Sequence, residues 1–171
     1  MESDGELREV VAALSARVDA LEGRGPATVG ALATGDDDPL WILNGIKQRV
    51  GDPGAVVFAG AVRTHAGPVE WQVGFPVDRL LDDDWGVAAA SLASLGNPVR
   101  LALLHAVLAG ATTVAELSTG EGMGTTGQLY HHLNQLVAQG WLVQAGRGHY
   151  SIPAERVVPL LVIVSAARRS M

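Results

Sequence analysis

The segment from Asn97 to Ile152 places three helix starts and a glycine-tipped hairpin in a fixed order. Asn97-Pro98 is typical of a helix start, because a capping side chain precedes proline at the first helical position. Thr113-Val-Ala-Glu116 and Thr125-Thr-Gly-Gln128 are capping boxes, in which each side chain satisfies the other residue's backbone N–H. Few small folds use this order of elements.

The helix predicted from the second capping box is amphipathic. Leucines at i, i+4 and i+7 (Leu129, Leu133, Leu136), with Val137, are expected to pack inward. Its other residues are polar and face outward, Gln135 among them. Two short strands around Gly146-Arg-Gly148 then form a hairpin with Arg147 at its tip. This combination predicts a winged helix-turn-helix, and the polar face is a candidate base-reading surface.

The N-terminal residues 1–22 contain a heptad pattern. A β-branched residue at a with leucine at d favours a parallel two-stranded coiled coil and hence a homodimer. The seam is Leu7, Val11, Leu14, Val18 and Leu21. A single amphipathic helix lying on its own domain is the alternative, since the seam is little more than two heptads long. Residues 23–38, rich in Gly, Ala and Thr, are predicted to be a linker.

Residues 39–84 are predicted to contain a helix and a β-hairpin. The helix spans Leu40 to Val50, and the strands span Ala55 to Arg63 and Val69 to Phe75. The intervening Thr64 to Pro68 fits a turn of several residues. An isolated hairpin is marginally stable in water, so its apolar face must pack on a partner subunit, the winged helix or a ligand. We expect this hairpin to belong to the regulatory part of the protein.

Residues 85–171 are predicted to form the winged-helix domain with a C-terminal dimerisation helix. Asp84 caps its first helix, and the next helix places Leu101, Leu104, His105 and Leu108 on its inner face. The stretch from Pro153 to Ala167 has more apolar surface than a solvent-facing helix tolerates. We therefore expect a second dimer contact there, through Leu160, Leu161 and Val164.

Charge is segregated along the chain. Residues 1–84 hold 7 Lys+Arg and 15 Asp+Glu, a net charge of −8, whereas residues 85–171 hold 5 and 3, a net charge of +2. The acidity of the whole chain, −6, therefore belongs to its N-terminal half. A charge of +2 is small for a DNA-binding domain, whose affinity normally rests on Lys and Arg neutralising phosphates.

The sequence offers no residues for enzymatic chemistry, so we expect no catalytic activity and no cofactor. The chain has no cysteine, and it has no phosphate-binding glycine loop and no nucleophile with a spaced base. The acidic runs Asp36 to Asp38 and Asp82 to Asp84 are explained by helix capping. His131 and His132 point about 100° apart on a helix, which disfavours a shared metal. An acidic N-terminus and the lack of a long apolar span predict a cytoplasmic protein that does not enter a membrane.

The stretch Leu92 to Gly110, followed by GTTGQLYHHLNQLVAQGWL and GRGHYSIP, resembles the ArsR-type winged-helix regulators. The resemblance covers about residues 85–167, and its specific marks include Leu95-Gly-Asn-Pro-Val-Arg100 and Tyr130-His-His-Leu133. It implies a homodimeric, effector-responsive transcription factor, usually a repressor. The cysteine pair with which many of these regulators sense metals is missing, so metal sensing is not implied.

Together these features predict a regulator that binds double-stranded DNA as a homodimer and responds to an unknown small-molecule or protein effector. The residues expected to contact DNA are Thr125, Thr126, Gln128, Tyr130, His131, Asn134 and Arg147. The alternative is a protein-interaction or self-assembling scaffold that uses the winged helix without DNA. It is favoured by the net charge, by the lack of Lys and Arg on the reading helix, and by two separate surfaces for self-association, which could build higher oligomers.

Overall fold

The computed structural model describes residues 40–120 and 124–168, which belong to two compact units. The first unit comprises Met1–Arg49 and Arg168–Met171. Its described part contains helix α1 (Trp41–Arg49), close to the bounds that the sequence predicts. The predicted coiled coil over 1–22 and linker over 23–38 lie outside the described residues. The second unit is Val50–Ala167.

The second unit begins with a long antiparallel hairpin, continues as a series of helices, and includes a short hairpin before its last helix. Its strands are β1 (Ala55–Thr64), β2 (Gly67–Pro76), β3 (Val143–Gln144) and β4 (Tyr150–Ser151). Its helices are α2 (Val77–Asp82), α3 (Gly86–Leu95), α4 (Pro98–Leu108), α5 (Val114–Leu117), α6 (Thr126–Ala138) and α7 (Ala154–Ala167). The described residues thus combine seven helices with two antiparallel hairpins, and the boundary predicted between residues 84 and 85 falls inside one compact unit.

The turn of the β1–β2 hairpin is shorter than the sequence predicts. The two strands pair in continuous register along their whole length, so only His65 and Ala66 form the loop. Gly67 adopts a φ of 127°, which glycine supplies readily after a tight turn. The Thr64 hydroxyl donates to the Gly67 carbonyl at 2.9 Å. Assigning Pro68 to the turn was wrong, because an edge strand tolerates proline where no ladder N–H is needed.

Helix α7 packs on one face of this hairpin, which answers the question of what covers it. Alternate residues of the two strands share that face. Seven of them have apolar side chains, with Gly60 between them: Val56, Phe58, Val62, Val69, Trp71, Val73 and Phe75. A Cβ atom added at Gly60 would lie 3.0 Å from both methyl carbons of Val158, which is itself only 2% exposed. The helix therefore approaches the strand most closely at the position that lacks a side chain.

The turn of the hairpin also lies against the helical part of the unit. A Cβ atom added at Gly110, just beyond the end of α4, would lie 2.9 Å from Cγ of His65. Gly110 has a φ of 109°, as expected of a glycine that ends a helix. His65 has no role in the sequence analysis, yet its ring rests on the end of α4.

The core of the second unit is formed by the helices and the short hairpin. Its buried members are Leu95, Leu103, Leu104, Val107, Leu117, Leu129, Leu133, Leu136, Trp141, Leu142, Tyr150 and Leu160. The three leucines predicted to pack inward from α6 are all buried, whereas Val137 is 36% exposed. Burying one leucine side chain contributes roughly 1.5–3 kcal/mol, so this set is the main source of stability.

Two predictions about helix faces are wrong in part. On α4, Leu104 is buried and Leu108 packs against the core as predicted, but Leu101 is 37% exposed and His105 is also exposed. Leu103 and Val107 are buried in their place. Leu, Val and Ala surround most of this helix, so several faces have apolar residues at helical spacing and the pattern cannot choose between them.

In α7, the predicted dimer contact Leu160 is 2% exposed and lies in the core of its own chain. The excess apolar surface of α7 is explained by the core and the hairpin, both of which it covers. Leu161 is half-buried and Val164 is 38% exposed, so only these two remain accessible at the surface predicted for dimerisation.

Helix α2 was not predicted from the sequence. The acidic run that ends it does cap the next helix, as predicted for Asp84. The Asp84 carboxylate accepts the Gly86 N–H at the start of α3 at 2.8 Å. Between these helices, the Trp85 indole N–H donates to the Leu80 carbonyl at 2.6 Å.

Among the described residues, no single helix is long and apolar enough to cross a membrane. Helices α3 and α4 reach the required length and composition only when they are taken together, and a bend of 76° separates them.

We expect Gly60→Ala to destabilise the protein by about 1–3 kcal/mol, because the added methyl overpacks against Val158. Urea unfolding followed by circular dichroism measures the change. In a Val158→Ala background the same substitution should be neutral or stabilising, since alanine suits a strand better than glycine. Equal effects in both backgrounds would contradict the close approach of α7.

Candidate functional site

Two capping boxes determine where α5 and α6 begin, as predicted. Thr113 accepts the Glu116 N–H through its hydroxyl at 3.3 Å, and the Glu116 carboxylate accepts the Thr113 N–H at 2.8 Å. This donation, together with that of the Thr112 N–H, lowers the pKa of Glu116. At α6, the Thr125 N–H donates to Oε1 of Gln128 at 2.8 Å, and Thr125 accepts the Gln128 N–H at 3.4 Å.

Helix α6 has two polar strips beside its leucines. The outer strip consists of Thr126, Tyr130, His131 and Asn134, and all four side chains are exposed. The inner strip consists of Gln128, His132 and Gln135, of which the last two are half-buried. At 100° per residue the strips lie on different sides of the helix, so they have different surroundings.

All seven residues predicted to contact DNA are exposed. Six of them belong to α6 or its N-cap, and Arg147 lies in the loop between β3 and β4. Gln128 differs from the others because its Oε1 already accepts the Thr125 N–H, which leaves its NH₂ group as the part able to reach a ligand.

The short β3–β4 hairpin is joined to the chain that precedes α5. The Tyr150 N–H donates to the Thr112 carbonyl at 2.8 Å, and Thr113 forms a single antiparallel bridge with His149. Within the hairpin loop, Gly146 and Gly148 have φ values of 137° and 76°, which position the chain on both sides of Arg147. Arg147 is therefore presented on a short, backbone-tethered loop.

Tyr150, at the start of β4, connects this hairpin to α6. It is 4% exposed, and burial raises the pKa of its phenol, with a smaller contribution from Tyr130. The Tyr150 side chain belongs to the same buried cluster as Leu129 and Leu133 of α6. The hairpin and α6 thus pack on one core.

Arg100 links the end of α3 to the inner strip of α6. Its guanidinium donates to the carbonyls of Ala93, at 2.9 Å, and Ser94, and to Oε1 of Gln135, at 2.5 Å. The last carbonyls of a helix have no partner within that helix, so Arg100 satisfies groups that α3 leaves open. The same side chain fixes the position of α6 relative to α3.

A second arginine is also used within the unit. The guanidinium carbon of Arg156 lies 5.0 Å above the centre of the Trp141 ring, in a cation–π contact. The Trp141 indole N–H donates to the Ser91 carbonyl of α3 at 3.3 Å. Among the arginines of residues 85–120 and 124–167, Arg147 alone has neither a guanidinium hydrogen bond nor a cation–π contact.

His132 lies beside the Arg100 contact. Its Nδ1 atom is buried and has no hydrogen-bond partner in the described part of the chain. Burial lowers the pKa of His132, and the nearby Arg100 and His131 lower it further, so the imidazole is neutral at pH 7. The rings of His131 and His132 are 5.8 Å apart and edge-on. No group of three or more metal-ligating residues occurs in the described ranges.

The sequence predicts Gln135 on the outer face of α6 and does not indicate its contact with Arg100. Arg100 lies in the Leu95 to Arg100 segment that marks the family resemblance, but its partner is 35 residues away. The one indication in the sequence is that Arg100 follows the end of α3 closely, where a fork-shaped guanidinium can bond free carbonyls.

No family model, no curated protein and no solved structure matches this chain.

We expect Arg100→Met and Gln135→Met to act non-additively on stability. Each variant alone should cost about 1–3 kcal/mol, since hydrogen bonds to a charged group are among the stronger ones. The double variant should cost less than the sum, by roughly 1 kcal/mol or more. Urea unfolding of the four proteins measures the coupling, and additive losses would show that the contact is not formed.

We expect the free energy of unfolding to fall as the pH drops below 6.5, the ordinary pKa of histidine, because His132 has a lower pKa when folded. The unfolded chain then binds the proton more readily than the folded chain, so stability is complete above that pH and is lost below it. His132→Gln should reduce this loss. His131→Gln removes only the smallest of the three contributions to the lowered pKa of His132, so in the same urea titrations it should reduce the loss less than His132→Gln does. Equal slopes in all three proteins would contradict the prediction.

Proposed function

We propose that this chain is a homodimeric DNA-binding regulator of transcription built on a winged helix-turn-helix, in line with its resemblance to the ArsR-type regulators. The succession of α4, α5 and α6 followed by the tethered β3–β4 hairpin supports this architecture. The observation that contributes most is the outer strip of α6, whose polar side chains are all exposed to solvent. Polar groups placed in this way suit the edges of base pairs.

In this proposal α6 enters the major groove. The Asn134 amide is suited to an adenine, which presents a donor and an acceptor at matching positions. Thr126 lies at the N-terminus of α6, where backbone N–H groups favour a phosphate. Tyr130 and His131 donate to phosphates or stack, and Arg147 contacts the backbone or the minor groove beside the reading helix.

The number of free cations predicts how such binding depends on salt. Within residues 85–167, Arg100 and Arg156 are used internally, so this part of a dimer offers two Arg147 side chains. These two side chains should contribute about −2 to the slope of a logarithmic plot of the binding constant against salt, since each neutralised phosphate contributes about −0.9. Hydrogen bonds, more than charge, would provide the affinity.

A second candidate function is a protein-interaction scaffold, and α3 favours it. Val87 and Leu92 on this helix are 80% and 52% exposed, and Trp85 just before it is 70% exposed. Large neighbouring apolar side chains on a surface mark interaction sites.

Selection of genomic fragments by the purified protein tests the proposal. We expect one recurrent sequence with two-fold symmetry, and a dissociation constant that rises about tenfold or more in Asn134→Ala. Arg147→Ala should weaken binding to all sequences. Arg79→Ala, which removes the same charge from the exposed surface of α2, is the matched control and should bind normally. Absence of an enriched sequence, with stable self-association in light scattering, would support the scaffold.

A further inference from the structure

The outer edge of β1 has the properties of a pairing site. In an antiparallel pair, every second residue directs its N–H and C=O away from the partner strand. Pro68 and Pro76 have no N–H to give to β1, so they mark the outward set of β2. By the register, the corresponding outward set of β1 is Ala55, Val57, Ala59, Ala61 and Arg63. In the described part of the chain, no other backbone group bonds to them.

The two edges of the hairpin differ in protection. Proline occupies two outward positions of β2, which blocks the addition of a further strand there. Every outward residue of β1 retains its N–H, and most of these residues are small. Arg63, near the turn, is the one charged residue in the ten-residue strand. A long strand rich in β-branched residues, without proline and with little charge, is a favourable template for pairing.

We propose that β1 pairs with β1 of a second copy of this chain, antiparallel and centred on Ala59, to form a continuous four-stranded sheet. With the two-fold axis at Ala59, each outward residue of one β1 lies opposite an outward residue of the other. The free N–H and C=O groups of both strands can therefore bond to each other. It also keeps the apolar faces of both hairpins on the same side of the sheet. Two-fold symmetry closes the assembly at two chains.

The second copy is favoured over an unrelated strand by the side chains and the charge. Val56, which is 53% exposed, lies opposite Val62 of the second copy and gains a β-branched cross-strand neighbour. The two Arg63 residues lie eight positions apart along the sheet, about 26 Å, so they do not repel each other strongly. Helix α7 packs on a face of the hairpin, while Ala59, Ala61 and Arg63 on this edge are exposed.

The inference does not depend on DNA binding, and single-cysteine variants of the full chain test it. Because the chain has no cysteine, Ala59→Cys introduces one thiol that lies opposite its own copy. Opposed Cα atoms in such a pair are about 5.5 Å apart, within the range of a disulfide. We expect rapid covalent dimerisation under mild oxidation. Gln72→Cys, directly across the ladder from residue 59 on the protected edge, is the matched control, and equal rates would overturn the proposal.

A charge exchange provides an independent measurement. Ala59→Lys and Ala59→Glu each place like charges opposite each other at the two-fold axis, which is destabilising. The reporters are Val57→Cys on one chain and Ala61→Cys on the other, since these two positions are opposed in this register. A mixture of the two reporter chains that both have Ala59→Lys, or both Ala59→Glu, should remain unlinked. A mixture in which one reporter chain has Ala59→Lys and the other Ala59→Glu should increase crosslinking about tenfold or more. Equal crosslinking in the like-charged and opposite-charged mixtures would contradict the register.

Discussion

The packing of α4 on α6 through leucine side chains is the contact on which the rest of the second unit depends. Leu103, Leu104, Leu129, Leu133 and Leu136 are almost completely inaccessible to solvent, and α3, α7 and the short hairpin are arranged around them. Apolar burial is not directional, so it holds two helices together without fixing their rotation. The guanidinium of Arg100 has a fixed fork and three acceptors, and it supplies the missing direction. The buried leucines thus provide most of the stability, whereas the Arg100 hydrogen bonds determine how α6 and its outer strip are oriented.

Features that depend on a few neighbouring residues could be predicted from the sequence. The capping boxes at Thr113 and Thr125 are confirmed because each is complete within four residues. The buried side of α6 is confirmed because its leucines contrast with polar neighbours. The buried side of α4 was predicted only in part, because Ala, Val and Leu surround most of that helix and only the packed neighbours decide which of them are covered.

Contacts between distant parts of the chain could not be predicted in this way. The sequence indicates that the apolar face of the hairpin must pack against another element, but not that Val158 of α7 packs against Gly60. It gives no sign that Gln135 leaves the outer face to accept a hydrogen bond from Arg100. For the candidate site, helical periodicity therefore gave the exposed positions, while the residues that orient them emerged only from tertiary packing.

The surroundings of Trp141 make it a natural optical probe of the second unit. The chain has four tryptophans, and Trp41, Trp71 and Trp85 are 61%, 38% and 70% exposed, whereas Trp141 is 2% exposed. An indole in an apolar site emits at shorter wavelength than one in water, so the blue edge of the emission belongs to Trp141. Its contacts with Ser91 and Arg156 place that signal where α3 and α7 meet the end of α6. Intrinsic fluorescence can thus follow a rearrangement of these three helices without any added label.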